Sequence, residues 1–410
     1  MRIVTVQKSW TLELAMVVVL SSAGLQGQSA RGDLTVAWGD NSYGQLGDGT
    51  TTTRGTPVPV SGLSSGVTAI AGGSDHCLAV QSGGVYSWGH NNNGQLGDGT
   101  TTNRSTPVAV SGLSSGVTAV AGGTWNSLAL QSGGVYAWGW NSYGQIGDAT
   151  TTNRITPVAV SGLSSGVTAI AASGLYSLAL RNGGVYAWGF NGYGELGDGT
   201  TTQRNTPVAV SGLSSGVTAI AASDYHCLAI QNGGVYAWGW NAYGCLGDGT
   251  TTNRSIPVPV SGLSSGVSAI AGGSHYSLAV QNGGVYAWGY NVYGKLGDGT
   301  NITHLTPERI DATDLTNIVA VAAGYVSSYA LASDGSLWTW GDNYDAFGNL
   351  TDYMTPQHLL PPTGYIFTAI DADAQSNHAV ATLAAVPEPA SLALLTLGGT
   401  ALLARRRRYA

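Results

Sequence analysis

Residues 106–139 read T-P-V-A-V-S-G-L-S-S-G-V-T-A-V-A-G-G-T-W-N-S-L-A-L-Q-S-G-G-V-Y-A-W-G, and residues 140–154 continue W-N-S-Y-G-Q-I-G-D-A-T-T-T-N-R. The same unit returns along the chain, marked by Trp-Gly steps at Trp38, Trp88, Trp138, Trp188, Trp238, Trp288 and Trp340. Six of these steps are spaced 50 residues apart, and the last gap is 52. A fixed period of this length signals a solenoid, a propeller or an array. Each unit holds four short runs suited to strands: Val108–Val110, Val117–Ala121, Leu128–Gln131 and Val135–Trp138. The last two flank Ser132-Gly133-Gly134, replaced by Asn-Gly-Gly from Asn182 onward, and such turns need the positive φ that Gly and Asn adopt cheaply. No segment between the termini shows helical periodicity. Four strands per repeat, repeated radially, predict an all-β, seven-bladed propeller of antiparallel blades.

The ends predict how the ring closes. The array opens with a lone strand, Leu34–Gly39, and finishes with three, Thr355–Leu360, Ile366–Ala372 and His378–Leu383. One plus three makes a seventh blade, so the N-terminal strand should join the C-terminal blade and remove the exposed edges of an open array. The residues W-G-x-N-x-x-G-Q-L-G-D-G-T from Trp88 to Thr100, and A-x-x-x-H-x-L-A from Ala71 to Ala79, resemble the regulator-of-chromosome-condensation repeat family. The resemblance runs from Leu34 to Leu383 and implies a seven-bladed propeller. The last unit departs from it: Asp342 to Asn349 lacks the Gln-Leu-Gly-Asp-Gly-Thr run, which predicts a less regular loop there.

Charged residues are 9% of the chain, against roughly 25% in ordinary soluble domains. Between Leu34 and Leu383, 8 Lys and Arg face 19 Asp and Glu, a net charge of −11. An acidic propeller with no basic stripe should repel nucleic acid, so the chromatin role of the family's founding member is not expected here. At the N-terminus, Arg2 and Lys8 precede an apolar stretch, Leu14–Leu20, and small residues near Ala23, which predicts a signal peptide within residues 1–30 despite Glu13. The propeller is expected over residues 31–385. Beyond it, Pro387-Glu388-Pro389 leads into an apolar run, Ala390–Ala404, and then Arg405, Arg406, Arg407 and Arg408. Residues 386–410 resemble a PEP-CTERM sorting signal, which implies processing at the inner membrane by an exosortase-like enzyme. An ordinary membrane anchor is the alternative, and four arginines would hold the far end on the cytoplasmic side in either case. Both readings place the propeller outside the cytoplasmic membrane, at the cell surface or in the extracellular matrix.

Several patterns imitate chemistry. Gly62-Leu63-Ser64-Ser65-Gly66 matches the G-x-S-x-G nucleophile elbow, which needs a strand before it and a helix after it. Here it recurs in five units between two strands, so a plain turn is expected. His76, His226 and His378 share a column with Asn126, Tyr176, Tyr276 and Ser327; residues on different blades do not converge as metal ligands, and a structural hydrogen bond is expected instead. Asp48, Asp98, Asp148, Asp198, Asp248 and Asp298 stand six residues before Arg54, Arg104, Arg154, Arg204, Arg254 and His304. A carboxylate accompanied by an arginine makes a poor calcium cage, so an intra-loop ion pair, bidentate if geometry allows, is favoured. Cys77, Cys227 and Cys245 read as small buried residues, since the first two lie three blades apart. No catalytic residue, metal or cofactor is indicated.

Near-identical units act as an internal control, because columns that vary are those the fold does not dictate. One varying column reads Asp40, His90, Trp140, Phe190, Trp240, Tyr290; another reads Asp75, Trp125, Leu175, Tyr225, His275, Val326. Strand alternation puts both columns on one face and the unvarying Ser-Gly-Leu-Ser-Ser-Gly turns on the other. Varied aromatics on one rim suit a binding surface, and Trp125, Trp140, Phe190, Tyr225, Trp240, Tyr290, His90 and His275 are its candidate contacts. The alternative is that these side chains fold inward over the following loop. The expected function is an exported, monomeric, non-enzymatic propeller that binds an extracellular protein or polysaccharide. Competing readings are a lyase acting on polysaccharide or antibiotic, for which the two propeller glutamates Glu195 and Glu308 offer no evident acid–base pair, and a purely structural surface protein.

Overall fold

A computed structural model of the chain describes residues 34–311, 315–344 and 350–386. It forms seven four-stranded antiparallel sheets. The first strands are β1 (Leu34–Gly39) and β2 (Arg54–Pro59). Blade 2 is β3 (Val67–Gly72), β4 (His76–Gln81), β5 (Gly84–Gly89) and β6 (Arg104–Ala109). The pattern repeats in blade 3 (β7–β10, residues 117–159), blade 4 (β11–β14, 167–209), blade 5 (β15–β18, 217–259), blade 6 (β19–β22, 267–309) and blade 7 (β23–β26, 318–359). Strands β27 (Tyr365–Asp371) and β28 (His378–Ala385) follow. The tight turns form as expected: Ser132 and Asn182 take φ of 52° and 51°, and a glycine in the same left-handed region follows each.

The ring closes through blade 1, whose order is β2-β1-β28-β27. Strand β1 pairs along its whole length with β28, from Leu34↔Leu383 to Gly39↔His378, and on its other side with β2. Closure by the N-terminal strand is therefore as expected, but the split is two strands plus two, not one plus three. The strand beginning at Arg104 is the outer strand of the blade before it, paired Gly89↔Arg104 and Ser87↔Val108. The reason lies in the intervening loop, which Asn91 folds back on itself. Its Nδ2 donates to the carbonyls of Thr100 and Thr102 at 3.2 and 3.1 Å, and its Oδ1 accepts from Leu96 N at 2.9 Å. The chain thus returns to the blade it left, and the Ser-Gly-Leu-Ser-Ser-Gly turn makes the crossing to the next. In blade 7, β25 (Leu337–Tyr344) and β26 (Leu350–Leu359) extend their ladder as far as Tyr344↔Leu350, so Asp342–Tyr344 are strand, and the remainder of the stretch expected to be less regular, residues 345–349, lies outside the described residues.

The core sits between blades. Trp88, Trp138, Trp188, Trp238, Trp288 and Trp340 are all fully buried. Each indole N–H donates to a carbonyl in the loop of the preceding blade, from Trp88 to Gln45 O at 2.8 Å through Trp340 to Lys295 O at 2.9 Å. A buried indole needs such a partner, so the Trp-Gly period is also the period of the inter-blade latch. Gly197 shows why the Gly-Asp step follows: its φ is +62°, and a Cβ would lie 2.8 Å from Val210 and 2.9 Å from the Trp238 indole nitrogen. A further bond backs the latch, Ser127 Oγ to Gln95 O at 2.8 Å and Ser177 Oγ to Gln145 O at 2.9 Å, with Cys227 Sγ taking the role toward Glu195 O at 3.3 Å.

Candidate binding face

The β3–β4 turn and the β5 exit of blade 2, with their counterparts around the ring, emerge on one face. The two varying columns touch through the backbone: His90 N donates to Asp75 O at 2.8 Å, Trp140 to Trp125 at 2.9 Å, Trp240 to Tyr225 at 2.8 Å and Tyr290 to His275 at 2.9 Å. That pairing demands the glycine between them and the structural tryptophan. Gly139 has φ +100°, and a Cβ there would collide with the Trp125 carbonyl. The Ser-Gly-Leu-Ser-Ser-Gly turns occupy the opposite face, as the strand alternation required.

The eight candidate residues, Trp125, Trp140, Phe190, Tyr225, Trp240, Tyr290, His90 and His275, are all half-buried. None is fully buried, although Trp240 packs against the core between blades 5 and 6. Seven of them belong to an arc of mostly edge-on rings across blades 3 to 6: Trp125–Trp140 at 5.1 Å, Trp140–Tyr143 at 5.4 Å, Tyr143–Phe190 at 5.1 Å, Phe190–Tyr193 at 6.1 Å, Tyr193–Tyr225 at 5.8 Å, the tilted Tyr225–Trp240 pair at 6.4 Å and Trp240–Tyr243 at 5.4 Å. Tyr243 stacks on Tyr290 at 4.3 Å, and His275 sits against Trp240 at 4.7 Å. His90 lies outside the arc, paired with Tyr43 at 4.5 Å. The connecting tyrosines were missed by comparing units for variation, because their column is nearly constant. Tyr43, Tyr193, Tyr243 and Tyr293 are exposed, each by 40% or more, and of these Tyr193 and Tyr243 link the half-buried varied residues of the arc. Asn93 fills their place in blade 2 and breaks the arc there.

Inside the arc, polar groups close the mouth of a narrow central channel walled by Gly72, Gly122, Ala172, Ala222 and Gly272, with Asp371 and Asp373. Gln375 of blade 1 reaches Thr124 of blade 3, whose hydroxyl donates to Gln375 Oε1 at 2.9 Å. Asp224 accepts from Ser274 Oγ at 2.8 Å, and burial pushes its carboxyl up to about 6. Burial likewise lowers Lys295 to about 8, where its ammonium donates to Ser274 O at 2.8 Å and lies over the Tyr276 and Tyr290 rings. Burial, then the Lys295 charge, lowers His275 to about 4, so it is neutral at pH 7. Lys295 and Glu195 stand in the column of Gln45, Gln95 and Gln145, a departure that was readable in the sequence but was not singled out.

The other motifs resolve as scaffold. Arg104 Nε and Nη2 both reach Asp98 Oδ2, at 3.1 and 2.8 Å, while Asp98 Oδ1 accepts from Thr100 N and Oγ1. The pair forms, but as a fork onto one oxygen, because threonine has taken the other. His304 replaces arginine against Asp298 at 2.7 Å. His76 Nε2 lies 2.8 Å from Ser127 Oγ and His226 Nε2 2.8 Å from Ser277 Oγ, each spanning to the next blade. All three cysteines are buried and free. Among the described residues, no group of His, Cys, Asp and Glu is placed to hold a metal, and no helix is long and apolar enough to cross a membrane. The segment expected to be a signal peptide, residues 1–30, and Pro387-Glu388-Pro389 and Arg405–Arg408 lie outside the described residues.

The RCC1-like domain model matches residues 34–381, the whole ring but its last residues. The chain belongs to the RCC1-like domain family. A PEP-CTERM protein-sorting motif matches residues 385–408 of this RCC1-like protein. Among solved structures, human WBSCR16 is similar at 24% identity and a TM-score of 0.76, with 87% of this chain and 100% of that one covered. Saccharomyces cerevisiae Prp20p, described with its binding to Gsp1p and histones, aligns at 22% identity and a TM-score of 0.75, covering 88% and 93%. Yeast Prp20 bound to Kap60 gives 22% and 0.77, covering 95% and 97%. These likenesses show the fold. No curated protein matches the sequence.

Proposed function

We propose that this RCC1-like propeller is exported and acts as a non-enzymatic binding protein whose partner docks on the face carrying the aromatic arc. The observation that carries the proposal is the arc itself. Its rings are held by backbone bonds and by one another, so they offer rigid apolar area at low entropic cost, as binding hot spots do. The scaffold needs tryptophan at the latch but not at Trp140 or Trp240, which vary from blade to blade. Export rests on the sorting motif together with the basic and apolar N-terminal segment, and the expected fate is processing by an exosortase-like enzyme. A protein partner is favoured because relatives of this fold, such as Prp20 with Kap60, bind proteins.

Tyr193→Ala combined with Tyr243→Ala, and Trp140→Ala separately, should leave thermal unfolding nearly unchanged while capture of the partner from extracellular matrix falls. A true hot spot should weaken binding by about 2 kcal/mol or more. Capture that persists per folded molecule in all these variants would move the binding site to the opposite face.

A further inference from the structure

The charges around the arc specify the partner's chemistry, an inference that rests on the aromatic face being the binding face. Carboxylates border the rings on both sides. Asp40 and Asp75 stand at the blade 1 and blade 2 end, next to the Tyr43–His90 pair. Asp342 occupies the corresponding exit in blade 7, and Asp224 lies inside the arc at the channel mouth. Asp40 accepts from Ser42 Oγ and Gln45 Nε2, both at 2.7 Å, and neither neutralises its charge. Burial, then repulsion from Asp40, raises Asp75, as expected for two carboxylates that share a site without a cation.

Among the described residues, this face offers no free cation to balance them. Lys295 is buried against two carbonyls, and its charge is offset by Asp224, which leaves Asp40, Asp75 and Asp342 without a cation. Arg54, Arg104, Arg154, Arg204 and Arg254 are committed to loop aspartates. Arg181 bonds Gly162 O in the turns of the opposite face, and Arg309 ends a strand there. His90 and His275 are held toward the neutral form by burial. The aromatic face therefore combines π surfaces, which attract guanidinium and ammonium groups, with unpaired negative charge at both ends of the arc.

We infer that the partner is a basic polypeptide segment, whose arginine or lysine side chains engage Asp40, Asp75 and the tyrosine rings. A neutral glycan or an acidic protein would leave these carboxylates desolvated and unpaired.

The test uses the full chain in neutral detergent and three probes: the peptide (Arg-Gly-Ser)4, its glutamate counterpart, and cellohexaose. Tryptophan fluorescence is followed at low and high salt. The arginine peptide alone should bind. Its affinity should fall about tenfold in Asp40→Asn/Asp75→Asn, and in Tyr193→Ala/Tyr243→Ala, with a flatter salt dependence in the aspartate variant. Asp75→Glu, which keeps the charge, should retain affinity. If cellohexaose binds, loses affinity in the tyrosine variant, and the arginine peptide does not bind, the aromatic-face reading stands and the basic-partner inference fails. If the arginine peptide binds equally to every variant, both fail. No binding of that peptide at low salt also overturns the inference.

Discussion

Glu195→Gln should make this protein more stable, and only above a definite pH. Gln45, Gln95 and Gln145 each accept a backbone N–H two residues earlier, as Gln145 Oε1 does from Tyr143 N at 3.0 Å. Their amide nitrogens then find a further acceptor, as Gln45 Nε2 does in Asp40 Oδ2 at 2.7 Å and Gln145 Nε2 in Gly174 O at 3.1 Å. Glu195 keeps the first bond, from Tyr193 N at 2.8 Å, but its other oxygen is buried without a partner. An acceptor stands where the fold expects a donor. Burial raises its carboxyl from 4.5 to about 7. At about 1.4 kcal/mol per pH unit, that gap corresponds to about 3 kcal/mol. The sign follows from proton binding. Between pH 4.5 and 7 the native state holds a proton that the unfolded state has released, so stability declines as pH rises and levels off above about 7. Asp371 and Asp224, raised to about 7 and about 6, contribute the same trend in both proteins, so only the difference between variant and parent is diagnostic. Urea unfolding across this range should give equal stability at the acid end and a variant advantage approaching about 3 kcal/mol above neutrality. A pH-independent difference, or a loss of stability at high pH, would refute the reasoning.

Removing residues 1–40 should be far more disruptive than trimming a terminus, because β1 lies inside blade 1 and its loss breaks both ladders; unchanged thermal unfolding of a chain starting at Asn41 would contradict ring closure. Gly197→Ala and Gly212→Ala both place a side chain at positive φ, but only the first meets Val210 and Trp238 within 3 Å. The first should cost about 2 kcal/mol or more and the second about 1 kcal/mol by urea unfolding, and equal costs would remove the packing argument. Replacing Arg405–Arg408 with Gln, or Pro387-Glu388-Pro389 with Ala, should hold the protein in the inner membrane. Mass spectrometry of extracellular material should find the natural tail missing, whereas an intact Ala410 terminus would favour a simple anchor.

The ring, its blade number and its closure were readable because every unit repeats one latch, the buried Trp88-type indole with its small neighbours. The strand phase was not. Whether Arg104–Ala109 pairs backward or forward depends on how Asn91 folds its loop, a hydrogen-bond pattern that periodicity does not report. The face was legible in part. Variation between units picked out Trp125, Trp140 and Trp240, but the same criterion discarded Tyr143, Tyr193 and Tyr243, which link them. Contacts such as Thr124 with Gln375 join residues 251 positions apart and leave no mark on a single repeat.

A partner docked on the aromatic arc meets one face of the ring, and only that face. Hydrogen–deuterium exchange of the purified protein, alone and saturated with a partner captured from extracellular matrix, reads this directly. Added protection should fall on the segments around Trp125, Trp140 to Tyr143, Phe190 to Tyr193, and Tyr225 with Trp240 to Tyr243. Protection centred instead on the Ser-Gly-Leu-Ser-Ser-Gly turns at Ser111–Gly116, Ser161–Gly166 and Ser211–Gly216 would contradict it.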